Sequence, residues 1–262
     1  MPVSIIVPTF NQACYLRPCL DSIWFQDYPE IEIILVNDGA TDETADVITD
    51  FVRDIDSAQV SYASVYDQEQ NQIKRVYHPR YPAKGRQLHI LTHDTNKGLA
   101  TALNTGFKAC TGEMCTYVPS DNICLPTMVS SLVKPLYDGA DFSYADMFIV
   151  DDNMNINRKF ELPDYSFERC FGDWYLCGVA KMYRRNLHDR FGYYDEGLLA
   201  HDHDLFQRFA MSGARFVHVA APLMYVRAHD NDREVDIHSP TNWNRLLDES
   251  KEIVIKARQF IR

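Results

Sequence analysis

Apolar positions along this chain follow two rhythms in turn. Residues 3–7 form a short β-branched run ended by Pro8, the pattern of a strand buried on both faces. Leu16, Cys19, Leu20, Ile23 and Trp24 then fall at helical spacing, and Tyr28-Pro29 closes that segment. Residues 31–36 repeat the buried-strand pattern and lead into Asn37-Asp38-Gly39-Ala40-Thr41. Thr41 is placed to cap a helix carrying Asp42 and Glu43 in its first turn, where a helix N-terminus favours negative charge. Strand, helix, strand and helix at this spacing predict a βαβ unit with a parallel sheet, whose ligands sit at the carboxyl ends of the strands.

From 57 to about 88 the rhythm breaks, because Gln, Asn, Tyr and Pro accumulate; this predicts a surface insertion with a hairpin. Order returns with a strand at 88–91 and a helix placing Leu99, Ala102, Leu103, Gly106 and Phe107 on one face. A further central strand, 114–118, runs into Pro119-Ser120-Asp121-Asn122, which should emerge at the carboxyl edge of the sheet. The second half predicts a helix at about 126–137, extended segments near 140–150 and 174–183, and a helix from about 202 to 211. In a terminal helix, Trp243, Leu246, Leu247, Val254, Ala257 and Ile261 form the apolar face. That helix reads as packed on the domain, with Lys251, Lys256, Arg258 and Arg262 allowing peripheral membrane contact as the alternative.

Composition narrows the picture. With 262 residues, 46% of them hydrophobic, the chain is long enough for a full core. A net charge of −11 argues against nucleic acid as a partner, since phosphate contacts need clustered Lys and Arg. Seven cysteines without a C-x-x-C pair read as buried thiols of a cytoplasmic protein rather than a disulfide frame or zinc knuckle. No apolar run approaches the roughly 20 residues of a membrane span.

Three polar clusters fall where the topology faces ligands: Asn37-Asp38, Asp121-Asn122 and His201-Asp202-His203-Asp204. Any one of them alone reads as helix capping or a solvated surface. The histidines with Asp202, Asp204 and His229 also permit a transition-metal hydrolase site, although adjacent residues at a helix start diverge. Across most of the chain outside 57–88, however, the ordered segments form a recognisable series. It runs through residues 4–11, 33–42, Asn96-Lys97-Gly98, 102–106, Gly112-Glu113, Ser120-Asp121-Asn122 with Pro126, 192–196, Asp202-His203-Asp204-Leu205 with Arg208, and Tyr225-Val226-Arg227-Ala228-His229. In this order they resemble the inverting family 2 glycosyltransferases of GT-A fold.

The resemblance implies an α/β GT-A domain over 1–262: a Rossmann-like, mostly parallel sheet with a mixed acceptor-side half. Residues 1–122 would bind the nucleotide-sugar, and 123–262 would supply the acceptor side and the base. Pro8, Thr9, Asn11, Asp38, Asn96, Gly98, Asn104, Ser120 and Asp121 would line the donor, a UDP- or dTDP-sugar. Asp38 would accept the imide N–H of the base, a charge-assisted bond suited to an acceptor-only carboxylate. The family's Asp-x-Asp falls on Pro119-Ser120-Asp121, so Asp121 alone would carry Mg²⁺ or Mn²⁺, with His229 approaching from the other side.

In the family's Glu-Asp pair, His201 stands for the Glu and Asp202 for the general base. Asp204 and Arg208 would fix their helix. Trp174, Tyr175 and His201, with Cys177-Gly178 near them, would face the acceptor, a glycan or lipid-linked glycan at the inner face of a membrane. Pro119 and His201, departures from the family pattern, favour an alternative: a non-catalytic nucleotide-sugar or glycan-binding module.

Overall fold

The structure, a computed structural model, describes residues 1–228 and 240–262. Its elements run β1 (Val3–Thr9), α1 (Ala13–Trp24), β2 (Ile31–Asn37), α2 (Thr44–Ser57), β3 (Gln59–Asp67), β4 (Gln72–Pro79), β5 (Arg86–Thr92), α3 (Leu99–Ala109), β6 (Met114–Tyr117) and β7 (Ile123–Cys124). They continue with α4 (Met128–Tyr137), β8 (Phe142–Val150), β9 (Ile156–Phe160), α5 (Phe167–Phe171), β10 (Lys181–Arg184), α6 (Asn186–Phe191), α7 (His201–Met211), β11 (Phe216–Arg227) and α8 (Pro240–Ile261).

β1 lies between β2 and β6 and is parallel to both, and β5 extends the parallel set beyond β2. The full order is β5-β2-β1-β6-β10-β8-β11-β7, with β9 beside β8. β10 is antiparallel to both its neighbours, and β11 returns parallel to β8. The sheet is thus parallel from β5 to β6 and mixed beyond β6, a continuous layer through both halves of the chain.

Every residue of β1 and of β2 is buried, because helices cover both faces of the sheet. Val3, Ile5 and Val7 point with α1, α2 and α4 into one core, while Ile6, Ile34 and Val36 join α3 and α7 in the other. The seven cysteines are free, six of them buried and Cys14 exposed.

The insertion is a hairpin, β3 paired antiparallel with β4 as a separate two-stranded sheet, with Tyr62, Tyr66, Ile73 and Tyr77 exposed. Several boundaries differ from expectation. α2 starts at Thr44, not directly after Thr41, because the Asp42 carboxylate takes the Thr44 N–H and hydroxyl and so closes the turn two residues later. Leu99 is exposed; Ala100 takes the buried place on α3. Residues 174–180 are not a strand, whereas β7, β9 and β11 and the short helices α5 and α6 lacked a readable period. On α8 the buried positions are Ser250, Ile253 and Ala257, so the predicted face is rotated and leaves Trp243 and Ile261 exposed. The reason is a polar contact: Gln207 donates to the Ile253 carbonyl at 2.9 Å and draws that side of the helix onto α7.

Gly106 sets how closely α3 approaches the sheet. A Cβ at this position would lie 2.4 Å from Ile6 Cγ2, and Ile6 is fully buried. Ala is ordinarily better than Gly inside a helix by about 1 kcal/mol, but overpacking a dense core costs about 1–3 kcal/mol. Gly106→Ala is therefore expected to lower the urea midpoint with an unchanged m-value. A midpoint equal to or above that of the parent protein would contradict the close approach.

Candidate active site

The parallel register brings the loops after β1, β2, β5 and β6 to one edge. Thr9 pairs with Asn37, and Asn37 with Thr92, so these strands end level. Asp38 sits at the centre of that edge, 3% exposed. Its Oδ1 accepts the Lys97 N–H (2.9 Å) and lies 2.7 Å from His93 Nδ1, and its Oδ2 accepts the Gly98 N–H (2.9 Å). Asp38 thereby folds the 93–98 loop over the end of β2, and one lone pair of Oδ2 is what remains for a ligand. Gly39 makes this approach feasible: at φ +69° it passes so close to Thr95 and Asn96 that a Cβ would lie 2.4–2.6 Å from their backbone.

The other donor-side expectations divide. Pro8 is a buried strand residue, and the buried Thr9 Oγ1 has no hydrogen-bond partner among the described residues. Asn11, at φ +51°, spends its Oδ1 on the Thr41 and Asp42 N–H groups and ties the β1 loop to the β2 loop. Asn96 accepts the Gly98 N–H, and Gly98, at φ +90°, opens onto free space.

Asn104 does not face this edge. It is buried, its NH₂ donates to the Tyr194 carbonyl and Glu196 Oε1, and its Oδ1 accepts the Tyr194 N–H. With its amide so occupied, Asn104 clamps residues 194–196 to α3, and the donor-lining expectation is corrected accordingly.

After β6 the chain turns through Ser120 and Asp121. The Ser120 hydroxyl donates to Gln12 Oε1, while Gln12 Nε2 reaches Asp121 Oδ2 at 3.4 Å. Arg227 Nε donates to the Asp121 carbonyl at 2.9 Å and holds the turn from the β11 side. Asn122 faces inward, its Oδ1 accepting the Arg227 N–H. His229 lies outside the described residues.

Among the described residues no group of three or more His, Cys, Asp and Glu side chains could hold a metal ion. Asp121 is the one carboxylate of its turn, with the neutral oxygens of Ser120 and Gln12 close by. Mg²⁺ usually needs only one or two carboxylates when substrate phosphates and water complete its shell. The donor set therefore fits an ion carried with a diphosphate. It does not form a closed protein cage.

Asp202 stands in the first turn of α7, where the helix dipole favours an anion. Its Oδ2 accepts hydrogen bonds from Tyr117 Oη (2.6 Å) and Lys181 Nζ (3.0 Å). Its Oδ1 is buried and has no partner among the described residues. Burial pushes this carboxyl up, but the charges of Lys181 and His201 and the two hydrogen bonds outweigh it and hold it below the usual carboxylate range.

Beside Asp202 is a pocket of about 150 Å³ whose walls include Trp174, Tyr175, His203, Leu199, Leu246 and Ser250. Trp174 is 41% exposed there, and Tyr175 donates to the Gly178 carbonyl. The His203 ring stacks near Phe171, and burial lowers its pKa to about 4, so it is neutral at pH 7. His201 instead contacts the edge of Tyr194. The two histidines thus face different surroundings, which removes the hydrolase reading. Arg208 bonds Asp204 and the Tyr193 carbonyl, and so fixes α7 against its neighbouring loop.

The structure brings together Thr9, Asp38, Gly98 and Asp121 along one edge, and Asp202 with Trp174 and Tyr175 beside a pocket. Residue-by-residue reading missed Gln12, His93, Tyr117 and Lys181. Of these, only Lys181 carried a sequence signal: a lone charge inside the otherwise apolar run 177–183.

Comparison with known proteins bears on the family and the fold. The profile of Glycosyl transferase family 2 matches residues 4–192. A PGL/p-HBAD biosynthesis glycosyltransferase of Mycobacterium bovis is 28% identical over 195 residues, 73% of this chain and 62% of the relative. The putative glycosyltransferase EpsH of Bacillus subtilis is 27% identical over 241 residues, covering 87% of this chain and 61% of its own length. The chain thus spans about three-fifths of these relatives.

Among solved structures, Staphylococcus aureus TarS in complex with UDP-GlcNAc superposes with a TM-score of 0.66 at 19% identity, over 98% of this chain and 66% of that one. The mannosyltransferase PcManGT of Pyrobaculum calidifontis, in complex with GDP-Man and Mn²⁺, gives 0.66 at 19% identity, over 95% and 64%. At that identity they establish the fold, an α/β GT-A architecture. The chain belongs to glycosyl transferase family 2.

Proposed function

We propose that this chain transfers a sugar from a nucleoside-diphosphate sugar, of UDP or dTDP type, to a hydroxyl of a glycan or lipid-linked acceptor, with inversion at the anomeric carbon. The observation that carries the reading is Asp202, an ionised carboxylate held by one oxygen, with the other unpartnered among the described residues, beside a pocket with an exposed indole. An indole face suits a sugar ring, with a large apolar surface at little conformational cost.

In this mechanism the donor lies along the edge from Thr9 and Asp38 to Asp121, with its base near the remaining Oδ2 lone pair of Asp38. Asp202 Oδ1 takes the acceptor proton as the acceptor oxygen bonds to the anomeric carbon. The bond from that carbon to the diphosphate oxygen breaks, and its electron pair leaves with the diphosphate. Asp121 would hold Mg²⁺ or Mn²⁺, which would neutralise charge on the diphosphate. The second reading, a non-catalytic binding module, is favoured by Pro119 at the place of the first motif carboxylate; donor hydrolysis separates the two.

No helix among the described residues is long and apolar enough to cross a membrane. Ile255, Phe260 and Ile261 are exposed on α8 beside Lys251, Lys256 and Arg258, which supports peripheral contact with a lipid surface carrying the acceptor, at the cytoplasmic face.

Asp202→Asn is expected to keep donor affinity while lowering turnover by roughly 10²–10⁴, the contribution of a positioned base. Kinetics with UDP-glucose, UDP-N-acetylglucosamine and GDP-mannose, read as donor hydrolysis, check this; unchanged turnover places the base elsewhere. For the metal, calorimetry of UDP with and without Mn²⁺ should show that Asp121→Ala loses the Mn²⁺-dependent part of binding. Equal affinities in variant and parent would remove the metal from Asp121. The stereochemical outcome follows from single displacement: an α-linked donor must give a β-linked product, legible in the proton coupling at the anomeric carbon. Retention, or a sugar adduct on the protein by mass spectrometry, would refute Asp202 as the base.

A further inference from the structure

Lys181 is a charge in a place built for apolar side chains. Its side chain is 0% exposed, on β10 between β6 and β8. The ammonium lies 3.0 Å from Asp202 Oδ2 and 3.4 Å from the Gly178 carbonyl oxygen. It also sits over the faces of Tyr117 and Phe206, 4.3 and 4.8 Å from the ring centroids. Tyr117 therefore meets both ions, with its ring face on the ammonium and its hydroxyl on the carboxylate. A buried cation with one carboxylate, one carbonyl and two aromatic faces is held in a single place.

The geometry assigns Lys181 as a positioning residue of the transfer reaction: its ammonium keeps Asp202 ionised and pins Oδ2, which leaves Oδ1 to the acceptor hydroxyl. This rests on the reading of Asp202 as the base. Among the described residues, the groups facing Asp202 come from four elements and the segments before them. β6 supplies Tyr117, β10 supplies Lys181 and Tyr183, and the segments before β10 and α7 supply Tyr175 and Tyr194. His201 is its neighbour on α7, and Glu249 of α8 accepts the Leu199 and Ala200 N–H groups at the start of that helix.

The tyrosines are neutral at working pH, since burial raises each of them. Lys181 is the fully buried basic group bonded to the carboxylate; burial lowers its pKa, and the charge and hydrogen bond of Asp202 oppose that shift. Without Lys181, the carboxyl would be left to burial among aromatic rings, which favours the protonated form.

The test is a titration of the whole protein. With ¹³C-labelled carboxyl groups, Asp202 is expected to titrate below the usual carboxylate range in the parent protein and at least ~1 pH unit higher in Lys181→Met, the usual consequence of removing an adjacent opposite charge. The acid limb of donor hydrolysis should rise by the same amount while the affinity for UDP stays unchanged. Should Lys181→Met fail to fold, the nearly isosteric Asp202→Asn reports the same coupling in reverse: the ¹⁵N-labelled Lys181 ammonium should lose its proton at lower pH than in the parent. Titrations unmoved in both variants overturn the inference. A moved carboxyl with an unmoved acid limb confirms the ionic coupling but overturns Asp202 as the base, and with it the positioning role.

Discussion

The parallel pairing of β1 with β2 on one side and β6 on the other is the constraint on which the rest depends. A strand with parallel neighbours on both sides cannot turn back through a tight loop, so each connection must cross a face of the sheet as a helix. Helices then cover both faces, and the strands must be buried throughout, as β1 and β2 are. The same geometry sends every loop that follows a parallel strand to one edge. Asp38, the 93–98 loop and Asp121 meet there although they are distant in sequence.

How much of this was legible depended on the range of the interaction. Buried parallel strands announce themselves by composition alone, and Asp121 and Asp202 fell within motifs whose order along the chain was itself the signal. Asn104 lay within such a motif too, but its partners Tyr194 and Glu196 lie some 90 residues away. Nothing local distinguishes an amide that clamps a distant loop from one that faces a ligand. The strands β7, β9 and β11 were hidden for a related reason: they are short, or mix buried and half-exposed positions, so their period is blurred. The rotation of α8 came from one hydrogen bond to its backbone, which no hydrophobic period encodes.

The pairing of Lys181 with Asp202 carries an energetic tension. Burying an ion pair costs desolvation that its attraction need not repay, whereas removing one partner costs about 3–5 kcal/mol. A chain selected for stability alone could hold this space with apolar side chains. Tyr117 softens the cost by serving both charges, and the α7 N-terminus adds a dipole of the favourable sign for Asp202. The site is thus stiff before any ligand arrives, so little reorganisation remains for the moment of reaction.

The pocket beside Asp202 is closed by α8, whose Leu246 and Ser250 line it and whose Glu249 holds the start of α7. That helix lies beyond the stretch matched by the family profile, which ends at residue 192. The wall beside Asp202 is therefore made by the same helix that fixes the start of α7. A change in α8 thus acts on Asp202 twice, through the shape of the pocket that Leu246 and Ser250 line and through the carboxylate of Glu249 that anchors the first turn of α7.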